Sequence, residues 1–188
     1  MIENDDVKLT KQWIERFVIG LRLCPFAHFS FYNDSIYYNV SQNKKHQSCL
    51  EDLMNLISIM EAKDEDTLSN AFLIFDQSLS FDFMLSLKKK LDSKLDRSEF
   101  EGLFQSIVFH PEFQFADEDF HASGNFTNRS PLPMMHILRE EEIANAISMT
   151  ENVDDIPFRN KELLENLKIK KISEVFENYF MDKIKQYI

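Results

Sequence analysis

Glycine is nearly missing from this sequence: Gly20, Gly102 and Gly124 are the only three in 188 residues. Neither a GxxxxGK[ST] loop nor a GxGxxG turn can be written with them, so the two commonest phosphate-cradling nucleotide fingerprints are excluded. Cysteine is as sparse. Cys24 and Cys49 have no CxxC pairing and no regular spacing, which suits a reducing compartment better than a disulfide-stapled secreted fold. No stretch approaches the roughly 18 continuous apolar residues of a membrane span, and the acidic opening MIENDDVK lacks the basic flank of a secretory signal. The expectation is a cytoplasmic protein with no membrane partner. Basic charge is short too: 21 Lys and Arg against 32 Asp and Glu leave a net charge of −11. A general nucleic-acid binder needs the opposite balance, so no nucleic-acid partner is expected.

What is present is ample material for a core. Hydrophobic residues make up 44% of the chain and 18 of them are Phe, each worth about 2–3 kcal/mol when fully buried, so one domain can close without disulfides or a structural metal. Trp13, Ile14, Phe17, Val18 and Leu21 recur at helical spacing between Asp6 and Leu23, with Pro25 as the stop. Ser35 to Val40 reads as a short strand. Ser48 and Glu51 form a capping-box pattern ahead of Leu50, Leu53, Met54, Ile57 and Met60. AFLIFD at Ala71–Asp76 is the continuous apolar run of a strand covered on both faces, and Ser80 caps a helix carrying Met84, Leu87, Leu91 and Leu95. LFQSIVF at Leu103–Phe109 and MMHIL at Met134–Leu138 read as two further strands. The second leads into a helix whose first turn holds Glu140, Glu141 and Glu142, where acidic charge suits the positive end of the dipole. The alternation predicts an α/β fold: a small mixed sheet of about four strands, three of them parallel, flanked by helices. The expected division is a single domain over 1–168 and an appended amphipathic helix over 169–188. Ile172, Val175, Phe176, Tyr179 and Ile184 on that helix offer a face for the domain or for a homodimer.

The stretch from Phe109 to Glu142 holds three of the five His and three of the five Pro. Connections longer than about 12–15 residues are uncommon in compact domains and tend to be functional or disordered. Phe113, Phe115, Phe120 and Phe126 argue for order, because leaving them in water is costly. The choice of cation is selective as well: Lys outnumbers Arg 15 to 6 overall, yet between Glu99 and Asn160 the only basic residues are Arg129, Arg139 and Arg159. A planar guanidinium is the better group wherever a cation must be held and partly buried, against an anion or an internal carboxylate. In TNRSPLP, Thr127 and Asn128 can turn the chain, while Pro131 and Pro133 keep Ser130 and Leu132 extended.

CPFA at Cys24–Ala27, FHPEFQFA at Phe109–Ala116, TNRSPLPMMHILRE at Thr127–Glu140 and IPFRN at Ile156–Asn160 resemble, in order, the signatures of a bacterial family catalogued as domain of unknown function 1415. The likeness covers about residues 10–167. It implies a compact protein of this size and transfers no reaction, only signature positions: Cys24, His110, Gln114, Asn128, Arg129, Ser130, His136 and Arg139. Leu132 departs from the aromatic residue expected there.

Three chemistries are open to these residues. Cys24 can act as a thiolate nucleophile with His110 or His136 as base, against the bland alternative of a buried, inert thiol. His110, His121 and His136 can bind a metal with Asp117, Glu118 or Asp119, although no HExxH or comparable spacing exists and no metal ligand is assigned. The third asks least. Arg129 holds an anionic group of a small molecule, with Asn128, Ser130, Gln114 and Arg139 around it, and His110 or His136 transfers a proton. The leading expectation is an enzyme acting on a small anion-bearing metabolite by acid–base or hydrolytic chemistry, with Cys24 in the same pocket. No motif names a cofactor. The alternative is a non-catalytic binding or scaffold module whose polar loop is structural.

Overall fold

The computed structural model describes residues 4–150 and 152–175. The amino-terminal pattern forms α1 (Asp5–Trp13), started by the Asn4 side chain, which accepts from the Asp6 amide at 2.8 Å. It does not continue as one regular helix to Leu23. A π-helical turn spans Ile14–Ile19, and Gly20 permits it: its amide reaches the Glu15 carbonyl, five residues back, at 3.0 Å. A Cβ at Gly20 would lie 2.2 Å from the Arg16 carbonyl oxygen. The widened turn leaves Trp13, Ile14 and Phe17 all buried. Past Pro25 comes α2 (Ala27–Tyr32), a short helix that the periodicity does not announce.

The body then alternates: β1 (Ile36–Ser41), α3 (His46–Glu61), β2 (Asn70–Phe75), α4 (Phe81–Leu95) and β3 (Phe104–Phe109). After the long connection, with its 3-10 helix at Ser123–Thr127, come β4 (Met134–Arg139), α5 (Glu140–Ser148) and α6 (Ile156–Val175). Ser80 caps α4 as expected, its hydroxyl accepting from the Phe83 amide at 3.2 Å. The capping box at Ser48 is not used. α3 begins at His46, so Ser48 already lies in its first turn. β2 is buried along its whole length, as its unbroken apolar run requires.

The four strands form one sheet in the order β1-β2-β4-β3. The expectation of three parallel strands is corrected here: only β1 and β2 pair in parallel, whereas β4 pairs antiparallel with both β2 and β3. The reason is the connection between β3 and β4. It contains no crossover helix, so the chain re-enters the sheet at the end where β3 left it and must run backwards. β1, β2 and β3 consequently all finish at one end of the sheet, where β4 starts.

Two apolar layers sandwich the sheet. On one face α3 and α4 bring Leu53, Ile57, Met60, Met84, Leu87 and Leu91 against Leu73, Phe75, Met135 and Ile137. On the other, Trp13, Ile14, Phe17 and Leu164 of α6 pack on Phe72, Ile74 and Met134. α6 runs unbroken through the expected boundary at residues 168 and 169, while Phe176, Tyr179 and Ile184 lie outside the described residues. Among the described residues no helix is long and apolar enough to cross a membrane.

Candidate functional site

His110 immediately follows β3 and is 3% exposed. Its Nε2 lies 2.9 Å from the Leu79 carbonyl, and its Nδ1 accepts from the Glu112 amide at 3.0 Å. An amide can only donate, so Nδ1 is the acceptor and Nε2 carries the proton. Backbone on both sides thus fixes a neutral tautomer. Burial pushes the His110 pKa below its ordinary value, against the Leu79 carbonyl and the Glu112 charge. The ring ties the start of the long loop to the turn before α4.

The loop is organised by two side chains. Asn125, fully buried, accepts from the Phe115 amide at 2.9 Å and donates to the carbonyls of Asp119 and Phe120 at 2.8 and 3.1 Å. Arg129, 5% exposed, donates from Nε to the Phe113 carbonyl at 3.1 Å and from Nη2 to the Phe120 carbonyl at 2.6 Å. Its guanidinium lies 4.6 Å from the Phe120 ring centroid and 4.9 Å from that of Phe126. Beside it, the Asn128 amide group donates to the Val108 carbonyl at 3.4 Å and the Ser130 hydroxyl to the Leu132 carbonyl at 2.6 Å. Gln114 is exposed and donates to the Glu118 carbonyl at 2.8 Å.

The remaining signature residues stand elsewhere. His136 projects from the middle of β4, stacked 3.9 Å from the Phe72 ring and bonded through Nε2 to Asn70 Oδ1 at 2.9 Å. Desolvation pushes its pKa down to about 3, so the ring is neutral. Arg139 closes the far end of β4, about 17 Å of strand from Met134 at ~3.3 Å per residue. There it donates to the carbonyls of Met60, Lys63 and Leu68, the first two at the carboxyl end of α3, where a cation meets the negative end of the dipole. In the first turn of α5, burial holds the Glu142 pKa up to about 7; the Arg139 charge opposes this and Glu65 and Asp66 add to it.

Cys24 sits in the turn before α2. Burial pushes its thiol pKa up, while the amides of Phe26 and Ala27 draw it down. That turn is clasped by the start of α6: Arg159 donates to the Arg22 carbonyl at 2.7 Å, and buried Asn160 to the Leu23 carbonyl at 2.7 Å. Arg22 itself has φ +55°, a left-handed conformation that the clasp helps to hold.

The signature stretches therefore resolve into two internal contacts, IPFRN with the Arg22–Leu23 turn that leads into CPFA, and FHPEFQFA with TNRSPLP. His110, Asn128, Arg129 and Ser130 come together at the end of β3. Cys24, His136 and Arg139 do not join them. His121 is exposed in the loop, and among the described residues no group of three or more His, Cys, Asp or Glu is placed to hold a metal. Sequence reasoning missed Asn125 and Asn160. An Asn beside a buried aromatic residue, as in GNFTN, is the signal that could have found Asn125, since its amide must be satisfied inside; Asn160 stands between Arg159 and Lys161, behind the exposed Phe158, and carries no such signal.

The model of the family described as "Protein of unknown function (DUF1415)" matches residues 6–174, and the chain belongs to that family. Comparison with curated proteins and with solved structures returned no match.

Proposed function

We propose that this family member is a non-catalytic binding or scaffold module whose polar loop is structural. One observation carries the reading: the polar heads expected to meet a ligand are engaged by the protein's own backbone. His110 is bonded at both ring nitrogens, and Arg129 spans the carbonyls of Phe113 and Phe120 between two aromatic rings. An acid–base role would require His110 to break a backbone bond at every proton transfer, and an anion would have to reach an Arg129 side chain that is only 5% exposed. Surface composition adds support. Phe29 of α2 and Phe158 of α6 are 75% and 74% exposed, aromatic area of the kind that serves contact with another macromolecule.

Thermal melts of His110→Ala and Asn160→Ala test this. Each leaves a buried carbonyl without its donor, at a cost of about 1–3 kcal/mol, and in a domain of this size each kcal/mol moves Tm by about 2–4 °C. Both variants are expected to melt several degrees lower. An unchanged Tm for His110→Ala, together with weakened binding of a small anion to that variant, would return the loop to the acid–base reading.

A further inference from the structure

We propose that the open half of the β3 edge is a strand-addition surface whose occupant is a second copy of this chain, paired antiparallel about a two-fold axis. β3 is the last strand of the sheet, with β4 on one side only. The Glu140 amide bonds to the Leu103 carbonyl at 3.0 Å, and this phase makes Gln105, Ile107 and Phe109 the residues that exchange ladder bonds with β4. Phe104, Ser106 and Val108 then direct their amides and carbonyls to the free side.

Among the described residues only the carboxyl half of that side is covered. The His110 amide bonds to the Asn128 carbonyl at 3.2 Å, the Ser130 amide to the His110 carbonyl at 3.4 Å, and the Asn128 side chain to the Val108 carbonyl. Among the described residues no backbone partner reaches Phe104 or Ser106 on the free side. Their side chains are buried on the helical face, at 5% and 3% exposure, which holds this backbone in place. The other edge is treated differently: in β1 the outward amide of Val40 is taken by the Asn39 side chain at 2.9 Å. Bare edge backbone is matched by another strand, and proteins that avoid such pairing usually place charge or proline along it.

Charge selects the second copy. From Gly102 to Pro111 the sequence GLFQSIVFHP carries no Asp, Glu, Lys or Arg, in a chain that is 28% charged and has a net charge of −11. Two such acidic bodies approach best along an uncharged strip, whereas a basic partner finds no carboxylate there. The Asn128 strap also sets the register. With Val108 covered, Phe104 pairs with Ser106 of the second copy, and Gln105 faces Gln105 of the second copy at a non-hydrogen-bonded position. Two carboxamides suit that place because each donates and accepts. In this register Glu101 faces Phe109 of the second copy, so no like charges oppose one another. A contact this short predicts weak association, in the micromolar range or above.

Sedimentation of the full chain up to ~0.5 mM, a concentration chosen to populate such a weak dimer, together with oxidative cross-linking, tests the proposal. Wild type is expected to self-associate with concentration. Gln105→Lys, an exposed position, is expected to stay monomeric at low salt with its Tm unchanged. Gln105→Cys is expected to form a disulfide dimer, because facing residues at such positions have Cα atoms within bridging distance. Lys89→Cys on α4 and the wild type, oxidised alongside, report background cross-linking through other thiols. A wild type that stays monomeric throughout the range overturns the proposal. So does a dimer that survives Gln105→Lys, or a Gln105→Cys variant that cross-links no better than the controls.

Discussion

Replacing Arg129 with Met keeps most of the side-chain length and removes the guanidinium. The bonds to the Phe113 and Phe120 carbonyls disappear, as do the contacts with the Phe120 and Phe126 rings. Hydrogen bonds from a charged donor contribute about 1.5–3 kcal/mol each, and a desolvated cation–π contact up to about 2. Retained apolar packing and release of a buried charge offset part of that, leaving an expected loss of ~3–5 kcal/mol. Chemical denaturation by urea, read by far-UV circular dichroism, measures it as a lower midpoint at constant m value. Arg129→Lys is expected to recover little, because one ammonium cannot serve two carbonyls of separate loop segments with the geometry of a planar fork. A loss under about 1 kcal/mol for Arg129→Met, with native circular dichroism, would refute the reasoning, since an interior clamp cannot be removed so cheaply.

Two predictions concern protons. His136 has a pKa of about 3 in the folded protein against about 6.5 unfolded, so between those values the unfolded chain binds more protons; its contribution to stability is complete above about pH 6.5 and is lost as pH falls, by no more than about 1.4 kcal/mol per pH unit. Denaturation midpoints of His136→Gln should fall less steeply than those of wild type between pH 6.5 and 4, and parallel curves would contradict this. Glu142 works with the opposite sign: its pKa is raised to about 7, so the native state binds the extra proton and stability is lost as pH rises from about 4.5 through 7. Glu142→Gln is therefore expected to melt higher than wild type at pH 8 and to lose that advantage at pH 4; a lower Tm at pH 8 would contradict the account.

Much of the fold was legible because burial writes periodic patterns. The unbroken AFLIF run announced a strand covered on both faces, the spacing of Leu53, Ile57 and Met60 announced the inward side of α3, and the spaced Phe residues announced an ordered loop. The direction of β4 was less legible, since an apolar strand looks the same whichever way it runs. The missing crossover helix between Phe109 and Met134 was the available clue. The π-helical turn turned on one carbonyl contact at Gly20, which leaves no periodic trace. At the site, residue type was informative about donors and silent about acceptors. Arg129 and Arg139 were recognisable as forks that hold something, but their partners include main-chain carbonyls, which every residue carries and no spacing reveals.

TNRSPLP gains a physical account once its path is known. Asn128 to Ser130 lies on the free side of His110, whereas Met134 pairs with Phe109 on the opposite side, so the chain must cross the end of β3 within four residues. The crossing is buried, and buried amides need partners. Pro131 and Pro133 have no amide to satisfy, and they hold their neighbours extended. Two of the remaining carbonyls are matched inside: that of Leu132 takes the Ser130 hydroxyl, and that of Pro133 takes the Phe75 amide at 2.9 Å. Leu132, 2% exposed, contributes its side chain to the layer of Trp13 and Phe17. A motif that reads in sequence as a stiff presenter of ligand-binding groups thus meets the requirements of a strand-end crossing, with donors deleted where nothing could accept from them.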